Sequence, residues 1–119
     1  MTHALARGDR GSGTVLAVAL VGVLAACALA VASVGAAVDA RGRAQAAADL
    51  AALAAASSLY EIGGPDPCVV AAQLAQLNSA ELRSCTVRGH EVEVTATVTA
   101  QLPGRLAAHV EAQARAGPA

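Results

Sequence analysis

Aromatic residues are almost missing from this sequence: it has one tyrosine and neither phenylalanine nor tryptophan. A surface that stacks nucleic-acid bases needs such rings, so that mode of binding is excluded. A basic patch is missing too, since eight basic residues face nine acidic ones and the net charge is −1. Electrostatic binding to a phosphate backbone therefore has no support. Every basic residue is arginine, which reads as GC-rich coding rather than chemistry. Large apolar side chains are also scarce. Although 55% of the chain is hydrophobic, that mass is alanine, valine and leucine. A core built from them is weak, at about 0.8 kcal/mol per buried CH₂.

Catalytic patterns are lacking as well. No Ser-His-Asp set, paired carboxylates, phosphate loop or dinucleotide fingerprint can be found, so neither an enzyme nor a small-molecule substrate nor a cofactor is expected. His3, His90 and His109 are scattered. Two cysteines without a suitably spaced histidine pair give no four-ligand zinc set. Glu91 and Glu93 read as a charged edge on the solvent side of their strand. Asp49 reads as an interhelical polar contact rather than an acid catalyst.

What is present begins with 28 consecutive residues without a charge, Gly11 to Val38. About 20 apolar residues cross a hydrocarbon layer of about 30 Å, so the run suffices to span a bilayer and continue as helix. Arg7 and Arg10 flank one end and Arg41 and Arg43 the other, which leaves the positive-inside rule balanced. Three processing sites compete with a plain anchor. Leu24-Ala25-Ala26-Cys27 has the form of a lipobox whose Cys27 would be acylated. Ala28-Leu29-Ala30 suits an ordinary signal peptidase. Gly11 or Gly13 sits where a prepilin peptidase would cut.

Beyond Val38 the pattern remains helical. Arg41, Gln45 and Asp49 recur every four residues as a polar stripe. Ala46, Leu50, Leu53, Ser57 and Tyr60 follow 4-3-4-3 spacing as a narrow apolar seam. Alanine sustains the helix by propensity and keeps it thin, which lets neighbouring helices approach. Gly63-Gly64 stops it, and Asp66 followed by Pro67 caps a second helix over about Pro67 to Ser79, with Val70, Leu74 and Leu77 on one face. Leu82 to Arg88 reads as a strand, Arg88-Gly89-His90 as a turn, and Glu91 to Leu102 as a clean alternating strand. In that strand Val92, Val94, Ala96, Val98, Ala100 and Leu102 share one face. Pro103-Gly104 ends it, and residues 105–119 read as a short helix or a tail.

Cys68 opens the second helix and Cys85 lies in the first strand, 17 positions on. A small exported domain needs a staple, and a bridge closing this loop contributes roughly 3 kcal/mol. Oxidised cysteines place the C-terminal part on the outer face and the N-terminus in the cytoplasm.

Taken in order, "RGSGTVLAVAL" (Arg10 to Leu20) and "VDARGRAQAAADLAALAAA" (Val38 to Ala56) resemble the N-terminal module of TadE/TadG-like Flp (type IVb) pilus-assembly proteins. The matching positions are Arg10-Gly11, Arg43, Gln45, Asp49 and the run from Ala51 to Ala56. The remainder, from Cys68 through Asn78 and Cys85 to the terminal "ARAGPA", looks like the short secreted TadE-like branch of GC-rich Gram-positive bacteria. Two departures stand out. The glutamate that classical pilins carry early in the membrane helix is replaced by apolar Val15, Leu16 and Ala17, and the large domain of TadG-type proteins is not in this sequence.

The residue patterns and the resemblance together give the expected α+β fold: a pilin-like helix, membrane-spanning then amphipathic, followed by a head of one small helix and a two-stranded antiparallel hairpin. The expected divisions are a cytoplasmic tail 1–10, a transmembrane helix 11–38, its continuation 39–62, a disulfide-linked head 63–104 and a C-terminal piece 105–119. The implied function is a membrane-anchored pseudopilin or assembly component of a Flp/Tad-type pilus or secretion system. Its partners would be the membrane and other pilin-like helices or Tad assembly proteins. The alternative is a secreted or lipid-anchored envelope protein released after signal cleavage.

Overall fold

A computed structural model describes residues 3–118, with the side chains of residues 11–118. The element order is α1 (His3–Leu59), α2 (Pro67–Leu77), β1 (Glu81–Arg88), β2 (Glu91–Leu102) and β3 (Leu106–Ala116). The expected tail at 1–10 is helical from His3, and Arg7 and Arg10 lie outside the residues whose side chains are described. The chain divides into two compact units, the first ending at Val34 and the second starting at Gly35.

In the first unit, α1 carries its valines and leucines uncovered: Leu16 is 71% exposed and Val31 72%. Among the described residues this is one helix long and apolar enough to cross a membrane. Lipid is the solvent in which such a surface costs nothing to expose.

In the second unit, the rest of α1 and α2 share one core with a three-stranded antiparallel sheet of order β1-β2-β3. The inward face of β2 is the face that alternation predicts, and Val92, Val94 and Val98 are its largest fully buried side chains. The helices meet this face almost wholly through alanine. Ala40, Ala44, Ala47, Ala48, Ala51, Ala52, Ala55 and Ala56 are buried along α1, and Ala71 and Ala75 along α2. Short side chains on both layers let the helices lie close to the strands, so a core of modest volume still packs.

Residues 105–119 are the main correction. They hold a third strand paired with β2 along its whole length, from Leu102↔Leu106 to Val92↔Ala116. The head is therefore not a two-stranded hairpin. Alanine, glutamate, glutamine and arginine all favour helix, and that propensity hides an alternation of period two: Ala108, Val110, Ala112, Ala114 and Ala116 against His109, Glu111, Gln113 and Arg115. Packing on the edge of β2 overrides the local preference. The turn between these strands uses Pro103, then Gly104 at φ +82° and Arg105 at φ +65°. Gly89, at φ +60°, takes the first loop position between β1 and β2, the backbone state that a two-residue hairpin of this kind demands.

β1 pairs antiparallel with β2 and carries a bulge between Leu82 and Ser84. Leu82 and Cys85 are three apart, so a regular strand would point them to opposite faces. The extra residue Arg83 brings both against the core. In α2, Asp66 caps the N-terminus by accepting from the Cys68 N–H at 2.8 Å, with proline following it. The inward face of α2 is Ala71, Leu74 and Ala75; Leu77 is exposed, and the expected Val70-Leu74-Leu77 face is shifted by about one position. Cys68 and Cys85 are disulfide-bonded, as the sequence predicts.

Candidate assembly surface

The polar stripe, the apolar seam and the alanine rows all lie between Asp39 and Tyr60, on α1 and the turn residue that follows it, within the second unit. Their division of labour differs from the expectation. The alanines expected to admit neighbouring helices are covered by the chain's own sheet. The seam expected from 4-3-4-3 spacing (Ala46, Leu50, Leu53, Ser57 and Tyr60) is exposed throughout, with Leu50 44% and Leu53 60% accessible. At 100° per residue, these five positions fall on the side of the helix away from the buried alanines. Amphipathicity here has three faces: one under the sheet, one apolar and open, and one polar between them.

The polar stripe is partly joined. Gln45 Nε2 donates to Asp49 Oδ1 at 2.9 Å and to the Gln113 carbonyl on β3 at 3.3 Å. The glutamine thus ties α1 to the outer strand. Arg41 is exposed and makes no hydrogen bond or ion pair with the described residues. Instead Arg43 pairs with Asp39 at 3.0 Å, an i,i+4 bridge that the spacing alone could have revealed. Both partners are largely exposed, so the bridge contributes little to folding.

Tyr60 stacks on His90, with ring centroids 6.3 Å apart and planes at 12°. This seats the end of the seam against the β1–β2 turn. Beside it, Leu53, Ser57 and Tyr60 form one wall of an open groove of ≈ 340 Å³ whose other wall includes Arg115 and Pro118. These tertiary neighbours are far apart in sequence, and no local spacing signals them.

Glu91 and Glu93 are not on an edge, because β2 is the central strand. Glu93 sits opposite Arg115 in register and binds it at 2.8 Å. The hydrogen bond and charge of Arg115 hold the Glu93 carboxyl below its ordinary range, and Glu93 in turn raises the arginine. His109 lies opposite Thr99, its Nδ1 3.3 Å from Thr99 Oγ1. On the same outer face Arg83 Nε donates to Thr97 Oγ1 at 3.4 Å. Among the described residues no three His, Cys, Asp or Glu side chains gather as a metal site would require.

In the first unit, Cys27 is a free, exposed thiol on α1. Gly11 and Gly13 are also within α1, and a Cβ at either would meet nothing within 4 Å. The long apolar helix is compatible with a single-pass membrane anchor. Residues 11–58 match the Tad family model, which describes TadE/G-like Flp pilus-assembly proteins. The match covers the apolar run, the polar stripe and the alanine rows, and it ends before α2. No curated protein and no solved structure matches the chain.

Proposed function

We propose that this chain is a membrane-anchored, TadE-like pseudopilin or assembly component of a Flp/Tad-type pilus or secretion system, acting by helix packing and without catalysis. The observation that carries the reading is the TadE/G-like match over residues 11–58, which takes in the exposed apolar run and the exposed seam as far as Ser57. α1 crosses the membrane with the N-terminus in the cytoplasm, and the disulfide-linked head stands on the oxidising side. The polar stripe Arg41, Gln45 and Asp49 sets the register of α1 against other helices of the assembly, while Gln45 also holds the head on its own helix.

A photo-crosslinking residue at Asp49, in cells that carry the assembly, tests this. Products with other membrane-embedded assembly proteins are expected. A chain that yields none, and whose deletion leaves the pilus or secretion output intact, overturns the reading. The mass of the mature chain tests the anchor separately: the full chain, or one trimmed at Gly11 or Gly13, retains it. A start at Cys27 with added acyl mass would instead establish the lipid-anchored alternative.

A further inference from the structure

We infer that the tip of the β2–β3 hairpin, Leu102 to Leu106, dips into the surface of the bilayer that α1 crosses, its leucines at the acyl border and Arg105 on anionic lipid headgroups. The inference rests on the membrane-anchor reading above and adds a second contact with the lipid. Contacts within the second unit fix which end of the head the tip occupies. Tyr60 stacks on His90, and Leu53 and Ser57 share a groove with Arg115 and Pro118, so the last turns of α1 lie beside the end of β3. About four turns earlier, Gln45 reaches the Gln113 carbonyl. Followed backwards, α1 and β3 therefore run side by side. From Gln113 to Leu106 the strand covers about 23 Å, whereas from Gln45 the helix covers about 9 Å to Asp39 and about 15 Å to Gly35. Even an oblique crossing carries the tip past Asp39, to the level of Gly35–Val38. Those four residues end the uncharged run and belong to the same compact unit. Burial fades at this end of both elements: Ala40 and Ala100 are buried, Ala36 and Leu102 half-buried.

What the tip carries matches that position. Along the inner face of β2 and β3, large apolar side chains should stop where the cover stops. Instead leucine appears there, Leu102 opposite Leu106, and Leu106 is 64% exposed. Such a pair is costly in water and at home where headgroups meet acyl chains. Arg105 is exposed, and the ion pairs among the described residues, Arg43–Asp39 and Arg115–Glu93, do not include it. It stands at φ +65°, a backbone state that glycine or asparagine takes at less cost, so turn formation does not account for an arginine there. No acidic residue lies between Gln101 and Val110 to compete for it. An arginine beside leucines at a lipid surface keeps its guanidinium among phosphates while its stem and neighbours reach the acyl border.

Full-length chains with Cys27→Ser and one added cysteine carry an environment-sensitive fluorophore in vesicles of equimolar phosphatidylglycerol and acyl-brominated phosphatidylcholine. The labelled positions are Leu106→Cys at the tip, Val31→Cys in the uncharged run, and Ile62→Cys beyond the far end of α1. All three side chains are exposed, and the Cys68–Cys85 bond is checked in each variant. Bromine should quench the probes at Val31 and Leu106 and leave the probe at Ile62 bright. Adding Arg105→Glu should lower quenching at Leu106 by about fivefold and leave that at Val31 unchanged. Quenching at Val31 alone overturns the inference and leaves the anchor standing, whereas quenching at none of the three overturns both. Equal quenching at Leu106 and Ile62 overturns the tip as the contact. Quenching at Leu106 that ignores Arg105→Glu overturns the headgroup contact of the arginine.

Discussion

Two stretches of α1, both rich in alanine, have opposite surroundings. From Gly11 to Val34 the helix is apolar on all sides and no protein covers it; from Ala40 to Ala56 its alanines are buried under the chain's own strands. The difference lies in side-chain size. The first stretch carries valine and leucine all round, which suits a hydrocarbon solvent. The second confines leucine to the open side and gives the sheet nothing larger than alanine. An apolar residue therefore does not say what covers it. Its size and angular position on the helix say far more.

Substitutions can break that comparison, and the largest effect belongs to the first stretch. Leu24→Arg places a guanidinium near the centre of the uncharged run, which costs insertion about 2.5–3.5 kcal/mol. The chain should be lost from the membrane fraction, whereas Leu53→Arg, on the open seam, should leave insertion unchanged. Removal of the staple comes next. Cys68→Ser with Cys85→Ser should lower head stability by about 3 kcal/mol, read by denaturant titration in detergent. The size argument itself is tested by Ala51→Leu, which overpacks the helix–sheet layer and should cost about 1–3 kcal/mol. Ala25→Leu, in the uncovered stretch, should shift the unfolding midpoint of the head not at all.

The smallest effect is expected from Glu93→Gln, since the ion pair with Arg115 is solvent-exposed. The Glu93 carboxyl is held below its ordinary range, so its contribution is present above the unfolded carboxylate pKa, about 4. It disappears as pH falls through the depressed folded value. Melting temperatures of wild type and Glu93→Gln should therefore differ slightly at neutral pH and converge in acid. A gap that widens on acidification would show that Arg115 is not what holds the carboxylate.

Much of the fold could be read locally. The Asp66-Pro67 cap places the start of α2, and the alternation of β2 places its inner face, because capping and period-two pattern are properties of neighbouring residues. The pairing of Cys68 with Cys85 follows from there being two cysteines beyond the apolar run. β3 was hidden because its residues favour helix one at a time, while its alternation is meaningful only beside β2. The seam was legible as a pattern, yet its exposure was not, since nothing in the spacing of Leu50 and Leu53 distinguishes a face turned to the sheet from one turned away. Spacing groups Arg41 with Gln45 and Asp49, whereas the pairing that forms is Arg43 with Asp39.

Local pattern gives a long helix apolar enough for a bilayer, the capped α2 and the inner face of β2, although α1 ends at Leu59, ahead of the expected stop at Gly63-Gly64. Each of these depends on residues within a few positions of one another. Only the tertiary structure decided that the alanine rows belong to the sheet, that Leu50 and Leu53 are left open, and that residues 106–116 form a strand. Those outcomes depend on which surface competes for which face, and that competition takes place between segments that are distant in sequence.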